Sequence, residues 1–433
     1  MYTQNNLLLN EKGHLSFCGI DTIELAKKYG TPLYLLDEEG IRIRCRTYRD
    51  AMKKYFGGSS MPLFASKALS FKRIYEIINE EGIGTDIVSS GELYTAMKAG
   101  FPMSKAYFHG NNKTTFDIQY AMDCELGYFV CDNEWEINEI NAEAEKRGIR
   151  QKVIIRLSPG IDPHTHKSIS TGRVDSKFGV AIETGQAKEF VKYVLTLKNI
   201  ELRGFHCHIG SQIFEFSPFI DAAKIMLNFV ADMKKTFDFV TKELNLGGGM
   251  GIRYLEEHPK IDYAENIKKI AKLIKDTCDS CGIEMPTILM EPGRSIVADN
   301  GITLYTAGGI KEITGFKNYV SVDGGMPDNP RYALYQSPYT VVNASKADKS
   351  ADYTCTIAGR CCESGDLIQE DVKLQKPDKG DLIAVLGTGA YNYSMASNYN
   401  RIPKPPVVLI DKNGNDYIGV KRETFEDITK NDV

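Results

Sequence analysis

The chain has 433 residues, which is too long for one ordinary core and suits two domains. Its net charge of -4 arises from 53 basic and 57 acidic residues, and no basic block indicates binding to nucleic acid or to an anionic membrane. With 42% hydrophobic and 25% charged residues it is typical of a soluble globular protein, and no apolar run approaches the roughly 18 residues of a membrane span.

The N-terminal residues and the cysteines predict a cytoplasmic protein with reduced thiols. The first residues, MYTQNNLLLNEKGHL, lack the basic start and the long apolar run of a secretory signal. Of the ten cysteines, Cys278 and Cys281 form a single CxxC motif, and Cys361 and Cys362 are adjacent. A lone CxxC is a weak indication of a metal site, so we predict no bound metal.

Short apolar runs alternate with amphipathic stretches over the first two thirds of the chain. Residues 31–35 predict a strand, after which Asp37 can cap a long helix that ends near residue 55. The next predicted strands are 63–66, 84–88, 106–108, 128–130, 153–157, 202–208, 243–246 and 287–290. Helical patterns between them cover 71–81, 91–98, 134–147, 186–195, 218–235 and 263–281. This order predicts the α/β class and a TIM-like (β/α)₈ barrel.

Beyond about residue 297 the pattern changes to short β-rich runs separated by Gly, Pro, Asn and Asp. The predicted strands are 304–307, 319–322, 339–342, 353–358, 382–386 and 407–410. We therefore predict a barrel at 37–296 and a second, mostly β domain at 297–433. The segment 1–36 has no place in a closed barrel, so we expect it to join the β domain.

Reactive side chains concentrate where the predicted barrel strands end, which is where barrel enzymes place their active sites. Lys67 follows the first strand, the second carries Asp86, and Glu291 follows the eighth. A lysine in this position can be desolvated, which frees its amine for Schiff-base chemistry; the alternative is a lysine that leaves the strand into solvent. A buried Glu291 needs a partner, either a pyridinium N–H or a local arginine such as Arg294.

Glycines indicate an anion site at the same end of the barrel. Gly247–Gly249 follow the seventh strand, and their backbone N–H groups can approach a phosphate closely, although a triple glycine alone is more often a tight turn. Arg294 can add charge to the same phosphate or to a carboxylate. His208, at the end of the sixth strand, can stack against a cofactor ring, and a packed core histidine is the alternative.

The second domain holds three further motifs. Arg331 and Tyr335 place a cation and a phenol four residues apart, and Tyr391 follows a predicted strand. The run CCESGD, residues 361–366, brings thiols and carboxylates into one turn. Taken singly, Arg331 could be a surface cation and Cys362 a small buried hydrophobe.

The chain resembles the fold-type III pyridoxal-phosphate-dependent decarboxylases, which include ornithine and arginine decarboxylases and are distantly related to alanine racemase. The resemblance covers about residues 31–400. It rests on FASKA, DIVSSGEL, HGNNK, HTHKSISTG, DSKFG, HCHIGSQ, LGGG, EPGR, DNPRYALY, CCESGD and GAYNYSMASNYN, in that order. It implies a barrel with a β domain, pyridoxal 5′-phosphate as cofactor, and a homodimer whose active site borrows the CCESGD loop of the other subunit.

The resemblance also implies individual roles. Lys67 corresponds to the lysine that binds the cofactor aldehyde, His208 to the imidazole on the cofactor ring, and Glu291 to the partner of the ring nitrogen. Asp86 corresponds to the acidic neighbour of the lysine. Further cofactor ligands correspond to Ser211, Gly248, Gly249, Gly293, Arg294 and Tyr391.

Within the family, HTHKSISTG, DSKFG and CCESGD are most similar to the members that decarboxylate meso-2,6-diaminopimelate to L-lysine. Substrate contacts then correspond to Arg294, Arg331, Tyr335, Glu363 and Tyr391. Cys362 corresponds to the cysteine near the reacting carbon. Two arginines suit a substrate with two carboxylates better than they suit ornithine. The alternatives are decarboxylation of ornithine, arginine or a carboxylated polyamine, and a non-catalytic relative that binds a regulatory partner.

Overall fold

The structure, a computed structural model, describes residues 2–58, 60–161 and 176–433. The motif HTHKSISTG and Asp175 of DSKFG lie outside these residues. The chain packs as two compact units. The first unit comprises Met1–Ile43, Ile252–Lys260 and Arg294–Val433. The second unit comprises Arg44–Gly251 and Ile261–Gly293. Among the described residues, no helix has the length and apolar character needed to cross a bilayer.

The first unit begins with a small antiparallel sheet and a helix. The sheet contains β1 (Leu7–Leu9), β2 (Leu15–Phe17) and β3 (Ile20–Asp21), and it is followed by α1 (Thr22–Tyr29) and β4 (Leu33–Asp37). Asp37 accepts a hydrogen bond from the Gly40 N–H at 2.8 Å. It thereby caps α2 (Glu38–Phe56), as its position in the sequence predicted.

The second unit contains a closed parallel barrel. Its strands in the described residues are β5 (Met61–Ala65), β6 (Gly84–Ile87), β7 (Ala106–Phe108), β8 (Tyr128–Cys131), β9 (Gln151–Ser158), β10 (Val180–Ala181), β11 (Ile200–His206), β12 (Glu243–Asn245) and β13 (Thr287–Met290). Strand β10 extends the sheet beside β9, and the other eight strands close because β13 pairs with β5 and β8 with β9. These eight confirm the predicted barrel strands, with shifts of up to two residues at their ends.

Helices connect the barrel strands. They are α3 (Lys72–Glu80), α4 (Ser90–Lys98), α5 (Thr115–Asp123), α6 (Glu134–Arg147), α7 (Gln186–Val194), α8 (Ser217–Phe237) and α9 (Tyr263–Cys281). In α9 the buried residues Ile267, Ile270 and Ile274 recur every three or four positions, so one apolar stripe faces the core. All but α5 were predicted. That helix begins with a capping box in which Thr114 and Asp117 exchange hydrogen bonds.

The remainder of the first unit is mostly β. It contains α10 (Arg294–Val297), β14 (Gly301–Glu312), β15 (Asn318–Val322), α11 (Arg331–Tyr335), β16 (Val341–Asn343), β17 (Tyr353–Ala358), β18 (Leu367–Leu374), β19 (Leu382–Leu386), β20 (Val407–Ile410), β21 (Asp416–Val420) and α12 (Phe425–Thr429). Strand β4 pairs with both β14 and β20, so the N-terminal segment supplies an interior strand of this sheet. The division at 1–36, 37–296 and 297–433 stays a prediction.

Candidate active site

Lys67 and Glu291 lie at the same end of the barrel because they follow adjacent parallel strands. Strand β5 ends at Ala65, and β13, which pairs with it, ends at Met290. At the last residue of β5, the Ala65 N–H donates to the Pro292 carbonyl oxygen at 3.2 Å. The end of the strand that precedes Lys67 is therefore hydrogen-bonded to the loop that carries Glu291.

Lys67 lies in a single 3₁₀ turn after β5, beside two carboxyl groups. Its side chain is exposed, so the desolvation that its sequence position suggested is not found. Asp86 Oδ1 accepts from the Ser66 N–H at 3.1 Å, and Glu92 Oε2 accepts from the Ser66 hydroxyl at 2.8 Å. Burial raises the pKa of both carboxyls, and the positive charge of Lys67 opposes the rise. The lysine amine is thus accessible and has acidic neighbours.

Glu291 is buried and receives three contacts from the ends of other strands. The Asn245 amide donates to Oε1 at 2.7 Å, His109 Nε2 lies 2.9 Å from Oε1, and His206 Nε2 lies 3.1 Å from Oε2. Burial alone raises the pKa of this carboxyl, but the two imidazoles outweigh burial and hold the pKa well below its usual range. Glu291 is therefore ionised inside the barrel mouth.

His208 is tied to the glycine run. Its Nδ1 accepts from the Gly248 N–H at 3.2 Å. Burial lowers the pKa of His208 well below its usual value, and the charge of Lys67 adds to this effect, so the ring is neutral. A neutral ring whose Nδ1 accepts a hydrogen bond carries its proton on Nε2.

The glycine run packs directly on neighbouring backbone. A Cβ on Gly248 would lie 2.0 Å from the Glu291 carbonyl oxygen, and one on Gly249, where φ is +117°, would lie 2.5 Å from the Gly210 oxygen. Gly293 is also confined, since its Cβ would lie 2.8 Å from Ala65 Cβ. Ser211 follows Gly210 directly. The predicted phosphate ligands of this unit thus share the barrel end with Lys67.

The other predicted residues cluster in the first unit around one phenol ring. The guanidinium carbon of Arg294 lies 4.7 Å from the Tyr391 ring centroid, and that of Arg331 lies 5.3 Å from it. Arg331 also lies 5.6 Å from the Tyr335 ring, and Arg294 donates to the Tyr254 hydroxyl at 2.7 Å. Both arginines are buried. Arg294, Arg331 and Tyr391, which lie far apart in the sequence, are therefore brought together.

Arg331 is a buried cation whose charge is not balanced by an ion pair. Its Nη2 donates to the Ser337 hydroxyl at 3.1 Å, and no carboxylate of the described residues forms a salt bridge with it. Its Nε is buried without a hydrogen-bond partner among those residues. Buried charges in proteins are normally paired, so this guanidinium is suited to bind an anion.

The CCESGD loop exposes its two reactive side chains. Cys362 and Glu363 are both exposed, and the Cys362 N–H donates to Asn400 Oδ1 at 2.9 Å. Buried Asp366 fixes the turn by accepting from the Cys361 N–H at 2.7 Å and from the Met326 N–H at 2.6 Å. Within the described structure, the hydrogen bonds of Cys362 and Glu363 do not reach the arginine cluster.

Three contacts of the site were not predicted. From the sequence, His206 was placed only within the predicted strand 202–208 and His109 only within the motif HGNNK, and Asn245 received no role. The available signal was position, because each residue stands at or just after the carboxyl end of a barrel strand. Lys113 of the same HGNNK motif forms a fully buried ion pair with Glu136.

Comparison with known proteins identifies relatives over the full chain. Residues 39–298 match the pyridoxal-binding domain of the pyridoxal-dependent decarboxylases. The chain is 44% identical to diaminopimelate decarboxylase of Bacillus subtilis, over 100% of this chain and 98% of that protein. It is also 44% identical to the Bacillus methanolicus enzyme of that name, over 98% of each chain. Diaminopimelate decarboxylase of M. jannaschii in complex with L-lysine superposes with a TM-score of 0.91 at 35% identity, covering 100% of this chain and 99% of that one.

Proposed function

This chain belongs to the family of pyridoxal-dependent decarboxylases, and we infer that it converts meso-2,6-diaminopimelate to L-lysine and CO₂, the last step of lysine biosynthesis. It is a pyridoxal-phosphate-dependent carboxy-lyase. The observation that carries the inference is similarity over the full length, which includes the barrel end with Lys67 and Glu291 and the arginine cluster. A substrate with a carboxylate at each end fits two buried arginines.

The barrel end fits pyridoxal 5′-phosphate. When bound, this cofactor supplies a ring that accepts the electron pair left by the departing carboxylate. We propose that the exposed amine of Lys67 binds its aldehyde and that ionised Glu291 keeps its ring nitrogen protonated. The neutral imidazole of His208 is the proposed stacking partner, and Asp86 is the proposed acidic neighbour of the lysine.

We propose two groups of phosphate contacts. In the barrel unit, the confined glycines present backbone N–H groups, and a Ser211 hydroxyl can donate beside them. The proposed contacts there are Ser211, Gly248, Gly249 and Gly293. In the other unit, Arg294 supplies charge and Tyr391 supplies a hydroxyl.

For the substrate, we propose that the buried guanidinium groups of Arg294 and Arg331 hold carboxylates. The absence of a salt bridge to Arg331 among the described residues supports this role. Tyr335 and Tyr391, whose rings lie next to these guanidinium groups, are the proposed neighbouring contacts. Glu363 can pair with the second ammonium group of the substrate.

The function is tested by a coupled assay for L-lysine. Purified protein with added pyridoxal phosphate should release one L-lysine and one CO₂ from each meso-diaminopimelate, and protein stripped of the cofactor should release neither. Ornithine and arginine are the matched competitors, because they lack the distal carboxylate. Faster CO₂ release from either of them would reject diaminopimelate as the substrate.

After CO₂ leaves, a proton must reach the substrate carbon, and we propose the thiol of Cys362 or the amine of Lys67 as its donor. Cys362 and Glu363 are exposed, and the same surface carries Tyr399, which is 42% exposed and precedes the Asn400 that binds the Cys362 N–H. These features support a homodimer in which the CCESGD loop serves the partner's site.

Subunit mixing tests the shared site. If Cys362 is the proton donor, Lys67→Ala and Cys362→Ala proteins should each be inactive alone. Unfolding and refolding them together should then restore about a quarter of wild-type activity, because half of randomly formed dimers are mixed and each mixed dimer has one intact site. Size-exclusion chromatography with light scattering should show a dimer throughout. A mixture that stays inactive although mixed dimers form would place both residues in the site of one subunit.

We further propose that the enzyme is cytoplasmic, with residues 37–296 as its cofactor-binding barrel and 297–433, joined by 1–36, as its β domain. All ten cysteines are free thiols, which fits a reducing compartment. The match of the pyridoxal-binding domain to residues 39–298 supports the barrel boundaries.

A further inference from the structure

Glu291 is held by a set of neutral donors that the mechanism above does not use. The donors come from three strand ends, with His109 after β7, His206 at the end of β11 and Asn245 at the end of β12. The two imidazole rings meet edge to face, with centroids 4.9 Å apart and an angle of 73° between their planes. Both direct Nε2 at the same carboxylate, one at each oxygen.

The protonation state of the two rings follows from their surroundings. Burial lowers the pKa of His109, and it lowers the pKa of His206 to about 4, so both are neutral near pH 7. A neutral imidazole has one N–H, and an ionised carboxylate can only accept, so each ring must carry its proton on Nε2. The Asn245 amide is fixed in the donating orientation because its Oδ1 accepts from the Gly247 N–H at 2.9 Å.

Neutral hydrogen-bond donors affect a buried carboxylate differently from a cationic partner. An arginine or lysine at this place would cancel the charge of Glu291 and weaken its attraction for a protonated ring nitrogen. Two hydrogen bonds, from His206 and Asn245, and the close contact of His109 Nε2 fix the carboxylate in place and stabilise its anionic form, while the negative charge stays available. The buried guanidinium of Arg156 interacts electrostatically with Glu291 and with both histidines, but it forms no salt bridge with Glu291 among the described residues. The groups in direct contact with the carboxylate are thus uncharged, and because a buried charge without a direct cationic partner is costly, the arrangement indicates a function for that charge.

We propose that His109 and His206 are positioning residues that orient Glu291 and keep it anionic for the ring nitrogen of pyridoxal phosphate. This inference rests on the proposed role of Glu291. Neither imidazole needs to touch the substrate. Their effect is on the protonation state of the bound cofactor, which can be observed without turnover.

The test replaces each histidine in two ways. His109→Leu and His206→Leu remove the donor, whereas His109→Gln and His206→Gln keep an N–H near the position of Nε2. Binding of pyridoxal phosphate to the apoprotein and the visible spectrum of the bound cofactor are measured between about pH 5 and 9. The leucine variants should bind the cofactor about 10-fold more weakly and show a spectrum that changes with pH, and the glutamine variants should resemble wild type.

The matched control is His14→Leu, which removes another imidazole–carboxylate contact, the 2.9 Å pair of His14 and Asp21. It should leave cofactor affinity and spectrum unchanged. Leucine and glutamine variants that lose affinity equally, with pH-independent spectra, would show a structural role and overturn the proposal. Wild-type affinity and spectrum in the leucine variants would overturn it as well, while loss of the band in Lys67→Ala would leave the proposed function standing.

Discussion

Replacing Lys67 with alanine is expected to lower kcat by at least about 10³-fold and to abolish the visible absorption of the bound cofactor. The reason is the position of Lys67. Its exposed amine follows β5, and the last residue of β5 is hydrogen-bonded to the loop that carries ionised Glu291. Removing the amine removes the group proposed to bind the aldehyde. Lysine release and the absorption spectrum of protein incubated with pyridoxal phosphate are the two measurements.

Lys72 provides the control for this substitution. It is also exposed and lies five residues further along, at the start of α3. Lys72→Ala should keep both turnover and spectrum, which shows that loss of an exposed lysine from this region is harmless in itself. If Lys67→Ala kept its activity and Lys72→Ala lost it, the cofactor amine would have been assigned to the wrong residue.

The strands of the barrel could be predicted because most contain a short apolar run and are buried on both sides. Strand β13, TILM, and strand β5, MPLFA, are examples in which nearly every residue is buried. The N-terminal hairpin of β1 and β2 was not predicted, since its three-residue strands are too short for a pattern. Strand β18 was missed because its burial is irregular, with charged residues in the middle of LIQEDVKL.

The residues of the candidate site also fall into those that could be predicted from the sequence and those that could not. Lys67 and Glu291 could be predicted because a reactive side chain directly after an apolar strand is conspicuous, and their strands are neighbours once the barrel is closed. The contacts of His109 and Asn245 with Glu291 could not be predicted, because they depend on side-chain direction at three strand ends. Residues 109, 245 and 291 are far apart in the chain, and only the closed barrel makes them neighbours.

The exposure of Lys67 shows a further limit of sequence reasoning. An apolar strand before a lysine suggests burial, yet the lysine lies one turn past the strand and its side chain is exposed. What the turn does bury is the carboxyl of Asp86, which accepts from the Ser66 backbone. Local sequence indicates where a strand ends, but how deeply the next side chain sits depends on the loops around it.

Arg331 offers the sharpest test of substrate recognition, because it is a buried cation without an ion pair among the described residues. A carboxylate bound to the planar guanidinium group of Arg331 would gain charge-assisted hydrogen bonds. L-lysine keeps one carboxylate of diaminopimelate, whereas the diamine cadaverine keeps none. The two compounds, used as competitive inhibitors, therefore separate recognition of the carboxylate from recognition of the amines.

Arg331→Ala should weaken binding of L-lysine by about 10- to 150-fold and leave binding of cadaverine nearly unchanged. Arg331→Met, which keeps most of the apolar stem, should show the same selectivity and so separate lost charge from lost packing. Arg401→Ala, at an exposed arginine paired with Asp432, should change neither inhibition constant. Equal weakening of both inhibitors in the two Arg331 variants would mean that this guanidinium shapes the site without holding a carboxylate, and the preference for diaminopimelate over ornithine would then need another source.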